Sequence, residues 1–177
     1  MRITVDGKSG GLRVRMRFEQ QRKRWLAVRI MLGILAFQGA VVGLWAVFAP
    51  HSWYTSFPGF GMQWISADGP YNHHLASDVG SFFLALTAVT LAALYLGGSA
   101  LAQVAGLGWL VFAVPHLIYH VFHKPAEMGA GSFTLSIIGA ALILALGLAL
   151  IVVTPRGAQL RDPDPITFQL PRRRTPR

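Results

Sequence analysis

Three histidines recur at i, i+4 and i+7 in the run Val114-Pro-His-Leu-Ile-Tyr-His-Val-Phe-His123: His116, His120 and His123. At 100° per residue, this spacing places them on one stripe of a helix. Imidazoles in that order can share a metal ion, pass a proton along a chain, or hydrogen-bond a polar group brought to them. The residues leading into the run are apolar enough to lie in a bilayer. There an ionisable group is costly and turns toward a protein interior or a polar cavity.

A second polar group lies in Ser66-Ala-Asp-Gly-Pro-Tyr-Asn-His-His-Leu-Ala-Ser-Asp-Val-Gly80. Asp68-Gly69-Pro70 is a turn signal, and Asn72 has the side chain of a helix N-cap. His74 and Asp78 stand at i, i+4, so a carboxylate can hold an imidazole in one tautomer. His73 adds a further imidazole, and Trp64, Tyr71 and Tyr119 are aromatic residues in the same stretches of sequence.

The elements that must position these side chains are membrane-spanning helices. Of 177 residues, 53% are hydrophobic and only 13% charged, far from the composition of an average soluble domain. Four stretches have the roughly 20 apolar residues that a helix needs to cross a hydrocarbon core. They are Leu26–Ala49, Asp78–Leu96, Leu101–His120 and Phe133–Val153. Helices are expected because backbone groups in lipid must be satisfied internally; no ~10-residue alternating segments of a barrel recur. The predicted fold is an all-α integral membrane bundle of four helices over residues 25–153.

Basic residues cluster at 2, 8, 13, 15, 17, 22, 23, 24 and 29, and again at 156, 161, 172, 173, 174 and 177; between them stands only Lys124. This segregation fits a membrane protein with both termini cytoplasmic and does not fit a nucleic-acid binder. Residues 1–24 and 154–177 are read as basic segments without regular structure, the tail with affinity for lipid headgroups. Met16 opens a natural juxtamembrane start, so the first fifteen residues read as an extension. The first apolar stretch exceeds the 7–15 residues of a signal peptide's core and is expected to stay uncleaved. With no cysteine in the chain, thiolate ligation and thiol nucleophiles are excluded.

The outer loop His51-Ser-Trp-Tyr-Thr-Ser-Phe-Pro-Gly-Phe-Gly-Met-Gln-Trp64 is rich in aromatic residues. It reads either as an interfacial belt or as a cap over the end of the bundle. The topology brings the start of the second span and the end of the third to the same depth. His73, His74, Asp78, His116 and His120 then meet in one outer-leaflet patch, with His123 at the water boundary.

Several chemistries remain open for that patch. His74, Asp78, His116 and His120 are the candidates for acid–base catalysis on a lipid-like substrate. With His123 they are also the candidate ligands for a metal, and a haem carrier is a further alternative. Trp64, Tyr71, His73, His74, Asp78, His116, Tyr119 and His120 are the candidate ligand-binding residues. The leading expectation is a non-catalytic or accessory protein that binds an apolar ligand or partner. Lipid, sterol-like and quinone-like molecules and a membrane protein complex are the partners considered. Gly39-Ala-Val-Val-Gly43, Gly106, Gly108 and Gly139 read as close-packing points within the bundle.

The stretches Phe57-Pro-Gly-Phe-Gly61, Ala67-Asp-Gly-Pro-Tyr-Asn-His-His74, Asp78-Val-Gly80 and Ala113-Val-Pro-His-Leu-Ile-Tyr-His120, together with Trp64, resemble the DoxX-like superfamily of small four-helix bacterial membrane proteins. The resemblance covers about residues 25–153 and is strongest to uncharacterised actinobacterial members; EXPERA-type domains are more distant relatives. It implies a four-helix membrane fold. Relatives of the first kind are associated with membrane oxidoreductase complexes, and those of the second with sterol isomerisation and binding. This chain has neither the cysteines of a thiol-redox partner nor a glutamate within a span.

Overall fold

The computed structural model describes residues 2–8, 11–17, 22–155 and 166–170, with side chains over 22–155. Four long helices dominate it: α1 (Arg22–Phe48), α3 (His73–Leu96), α4 (Ser99–Phe122) and α5 (Ala130–Val153). A short helix, α2 (Pro50–Ser56), and a small hairpin of β3 (Pro58–Gly59) and β4 (Met62–Gln63) lie between α1 and α3. Each long helix is long and apolar enough to cross a membrane. Large apolar side chains such as Phe37, Phe82, Val111 and Val152 are exposed on them, as expected of helices that are apolar all round and are covered by lipid.

The helices begin earlier than the apolar stretches predict. α3 starts at His73, five residues before Asp78, because the Asn72 side chain accepts a 3.1 Å hydrogen bond from the Leu75 N–H and caps an otherwise orphaned donor. α3 closes at Gly97, whose φ of 68° is the left-handed cap that glycine adopts without a Cβ penalty. Ser99 then opens α4, so α3 and α4 form a tight antiparallel hairpin.

Packing is keyed by small residues. A Cβ on Gly39 of α1 would meet the Thr87 hydroxyl of α3 and the Trp109 ring of α4, while one on Gly43 would meet Leu84 and the Gly80 carbonyl of α3. Gly106 and Gly147 bring α4 and α5 together in the same way. Gly39, Gly43 and Gly106 serve contacts inside the molecule, as the sequence predicted, and Gly147 joins them. Gly139 does not, since nothing lies within 4 Å of its added Cβ. Trp109 is fully buried, and its indole N–H donates a 2.8 Å bond to Thr90 Oγ1. The main core gathers Leu32, Leu35, Phe83, Trp109 and Leu150.

The chain is not wholly helical. β1 (Arg2–Lys8) and β2 (Gly11–Arg17) pair antiparallel, and β2 pairs in turn with β5 (Ile166–Leu170), giving the order β1-β2-β5. The reading of both ends as segments without regular structure did not anticipate these strands. The sequence carries the period-two signal of a strand in Ile3/Val5, Leu12/Val14/Met16 and Ile166/Phe168/Leu170, but in the second of these Arg13 and Arg15 stand between the apolar residues and make it read as a charge run. Register brings Ile3 opposite Met16, and Val14 opposite both Val5 and Phe168. The remaining parts of those end segments lie outside the described residues.

Candidate functional site at the capped end of the bundle

The 49–72 connection is a folded cap. Pro50 sits in the first turn of α2, where its missing N–H costs nothing. Trp53 is buried and packs with Ala46 of α1 and Ala76 of α3 in a second small core. The Trp45 indole donates to Ser52 Oγ at 3.1 Å. Phe57 packs edge-on against Trp64, and the Trp64 N–H donates to the Phe57 carbonyl at 2.8 Å. The aromatic loop is thus folded against α1 and α3.

Two tyrosines hold the end of the cap, one from within it and one from α4. Tyr54 of α2 donates to the Gly69 carbonyl at 2.6 Å, and Tyr119 of α4 donates to Asp68 Oδ2 at 2.8 Å. His123 Nε2 lies 3.9 Å from Asp68 Oδ1, and its ring stacks on Tyr119 with centroids 4.7 Å apart. Asp68 is therefore the carboxylate that meets the histidine end of α4.

Asp78 does not play that part. It pairs within α3 with His74, Nε2 to Oδ2 at 3.3 Å, as the i, i+4 spacing predicts. The His74 side chain is 88% exposed and that of Asp78 49%, so solvent screens the pair and it adds little to stability. Tyr71 clusters with His51, Tyr54 and His73, its ring centroid 5.2 Å from each of the first two and 6.4 Å from the third.

His116 and His120 are the half-buried members of the stripe. The His116 ring stacks on Phe112 at 4.9 Å and meets His120 edge-on at 4.6 Å. Phe112 in turn packs against Phe83 and Trp109, so the stripe rises from the bundle core to Asp68 at the rim. Neither imidazole has a hydrogen-bond partner among the described residues. Pro115 lies inside α4 directly below the pair, where it removes one helix hydrogen bond.

The expected single patch thus resolves into three groups: His74 with Asp78; Tyr71 with His51 and His73; and His116, Tyr119, His120 and His123 with Asp68. Among the described residues, no three His, Asp or Glu side chains form a group able to hold one metal ion. Of the set His74, Asp78, His116, His120 and His123, the first two pair with each other on α3, and the other three follow α4. Trp64 lies apart, in the wall of a hollow of about 250 Å³ between the β3–β4 hairpin and the link from α4 to α5.

Asp68, Tyr54 and Phe112 are the site residues that sequence reasoning missed. A signal for Asp68 existed: between residues 25 and 153 the chain has only three acids, Asp68, Asp78 and Glu127. All three fall in or beside segments placed at the outer end.

No family model, curated protein or solved structure matches this chain.

Proposed function

We propose that this chain is a multi-pass protein of the bacterial inner membrane that binds an apolar ligand or partner bearing a polar group at the capped end of its bundle, without catalysing a reaction. The observation that carries this reading is the His116–His120 pair. Two half-buried imidazoles touch each other and Phe112, make no hydrogen bond within the described residues, and stand beside the exposed apolar surface of Val114 and Ile118. A polar group at that depth seeks a partner, and an apolar molecule with one hydroxyl or carbonyl would supply it. The resemblance to DoxX-like proteins is in keeping with such a role.

The basic termini favour placing both ends in the cytoplasm, which puts the cap and its histidines on the outer side. Pairing of β2 with β5 supports the even number of crossings, since two strands cannot pair across a bilayer.

Lipid extracts of protein purified without a histidine tag test the proposal. A sterol-, quinone- or lipid-class molecule should co-purify stoichiometrically, and His116→Ala with His120→Ala should deplete it with the melting temperature retained. Equal ligand content in the double variant would overturn it.

Acid–base catalysis is a second reading, favoured by the 3.3 Å His74–Asp78 contact, in which a carboxylate orients an imidazole. Under it, Asp78→Asn would abolish turnover of a lipid-like substrate and leave the His116/His120 ligand in place.

A further inference from the structure

The hollow beneath the β3–β4 hairpin differs in kind from the histidine stripe. Gln63, Ser66 and Trp64 line one side of it, and Glu127, Met128 and Ser132 the other. In the His/Asp groups the polar side chains are held by hydrogen bonds, ion pairs or ring contacts to one another. Here the side chains of Gln63, Ser66, Glu127 and Ser132 make no hydrogen bond or ion pair among the described residues. Unengaged polar groups converging on a concavity are the ordinary mark of a small-ligand site.

The charge of the occupant follows from the lining. Glu127 is the one ionised side chain in the wall, and the neighbouring cation does not neutralise it. Lys124 instead places its Nζ over the Phe133 ring, 5.8 Å from the centroid. A hollow lined by a carboxylate, an indole and a thioether is suited to an organic cation: the carboxylate supplies opposite charge, and an aromatic wall can add cation–π attraction. The hydroxyls of Ser66 and Ser132 and the amide of Gln63 are suited to an oxygen carried near that cation. Buried Met128 gives the hollow an apolar surface for the methylenes between them.

We infer that this hollow binds an organic ammonium group, carried by a free amine or by the head of an amino-lipid. Its volume of about 250 Å³ accommodates a headgroup and excludes acyl chains, which would run along the exposed apolar helix surface. The site is separate from the His116–His120 pair, so its occupancy and the proposed ligand of the stripe are independent.

The test uses the full chain in two formats. Saturation-transfer NMR with ethanolamine, and with ethylene glycol as its uncharged counterpart, reads free-amine binding. Native mass spectrometry with phosphatidylethanolamine against phosphatidylglycerol reads the lipid. Ethanolamine binding selectively over ethylene glycol identifies a free-amine site; selectivity seen only with phosphatidylethanolamine identifies a lipid-head site. In either case Glu127→Gln should weaken binding about tenfold or more, the loss expected of a charge-assisted contact, and Glu127→Asp should retain part of it. Glu127 is exposed, so both variants should keep the wild-type melting temperature; should Glu127→Gln melt early, Glu127→Asp and the wild-type selectivity decide. No preference for either amine probe over its counterpart, or equal binding by Glu127→Gln, overturns the assignment.

Discussion

The phenol of Tyr119 donates a 2.8 Å hydrogen bond to Oδ2 of Asp68 across 51 residues of chain, tying the last turn of α4 to the cap between α1 and α3. His123 approaches the other oxygen of the same carboxylate at 3.9 Å, so a single acid joins the cap to the histidine stripe.

Tyr119→Phe removes only that donor. Both groups are partly exposed, so the loss in global stability should stay near or below about 1 kcal/mol. The local effect should be larger: amide exchange across residues 65–72 should speed up, while exchange in the core of α3 stays unchanged. Unaltered exchange in the loop would show that the Tyr54–Gly69 bond holds the cap alone.

Thr90→Val keeps the volume at the centre of the bundle and deletes the acceptor of the Trp109 indole. A buried N–H left without a partner costs about 1–3 kcal/mol. A lowered melting temperature in detergent should report it, with unchanged helical content by circular dichroism.

Gly39→Ala pushes a methyl group into the Thr87 hydroxyl and the Trp109 ring, whose nearest atom lies 3.0 Å from the added carbon. Overpacking at such a joint costs about 1–3 kcal/mol. Gly139→Ala should be neutral or slightly stabilising, because its added carbon meets nothing and alanine favours the helix. Denaturation of the two variants side by side checks the contrast.

The sheet has a direct chemical test, made simple by the absence of native cysteine. Val14 and Phe168 are register partners, and directly paired strand positions fall within the Cα separation that a disulfide spans. Val14→Cys with Phe168→Cys should cross-link under mild oxidation, and Val14→Cys with Gln169→Cys should do so much less. Failure of the first pair would remove the β2–β5 pairing and its support for an even number of crossings.

How far the molecule was legible in its sequence depended on the range of the interaction. The four spans were found because a bilayer demands about 20 apolar residues, and that demand is written locally. Their polar extensions were not: apolarity marks what lies in lipid, whereas α3 runs on to its Asn72 cap. The His74–Asp78 pair was visible because helical spacing alone brings those residues together. Asp68 was read only as a turn residue, since nothing in local periodicity announces a partner 51 residues away. The strand at 11–17 was obscured when the charge of Arg13, Arg15 and Arg17 was weighed above its alternation, and that at 166–170 is only five residues long.

Trp109 occupies the space that Gly39 leaves open and is bonded to Thr90, so one side chain gauges the alignment of three helices at once. Sliding α4 by a turn toward the start of α1 would face the indole with Leu35 and Ala36, which carry side chains. Its donor would also leave its acceptor. His116 stands seven residues further along the same rigid helix, roughly 10 Å away. The height at which the imidazoles present themselves is therefore set by an apolar joint that no ligand touches.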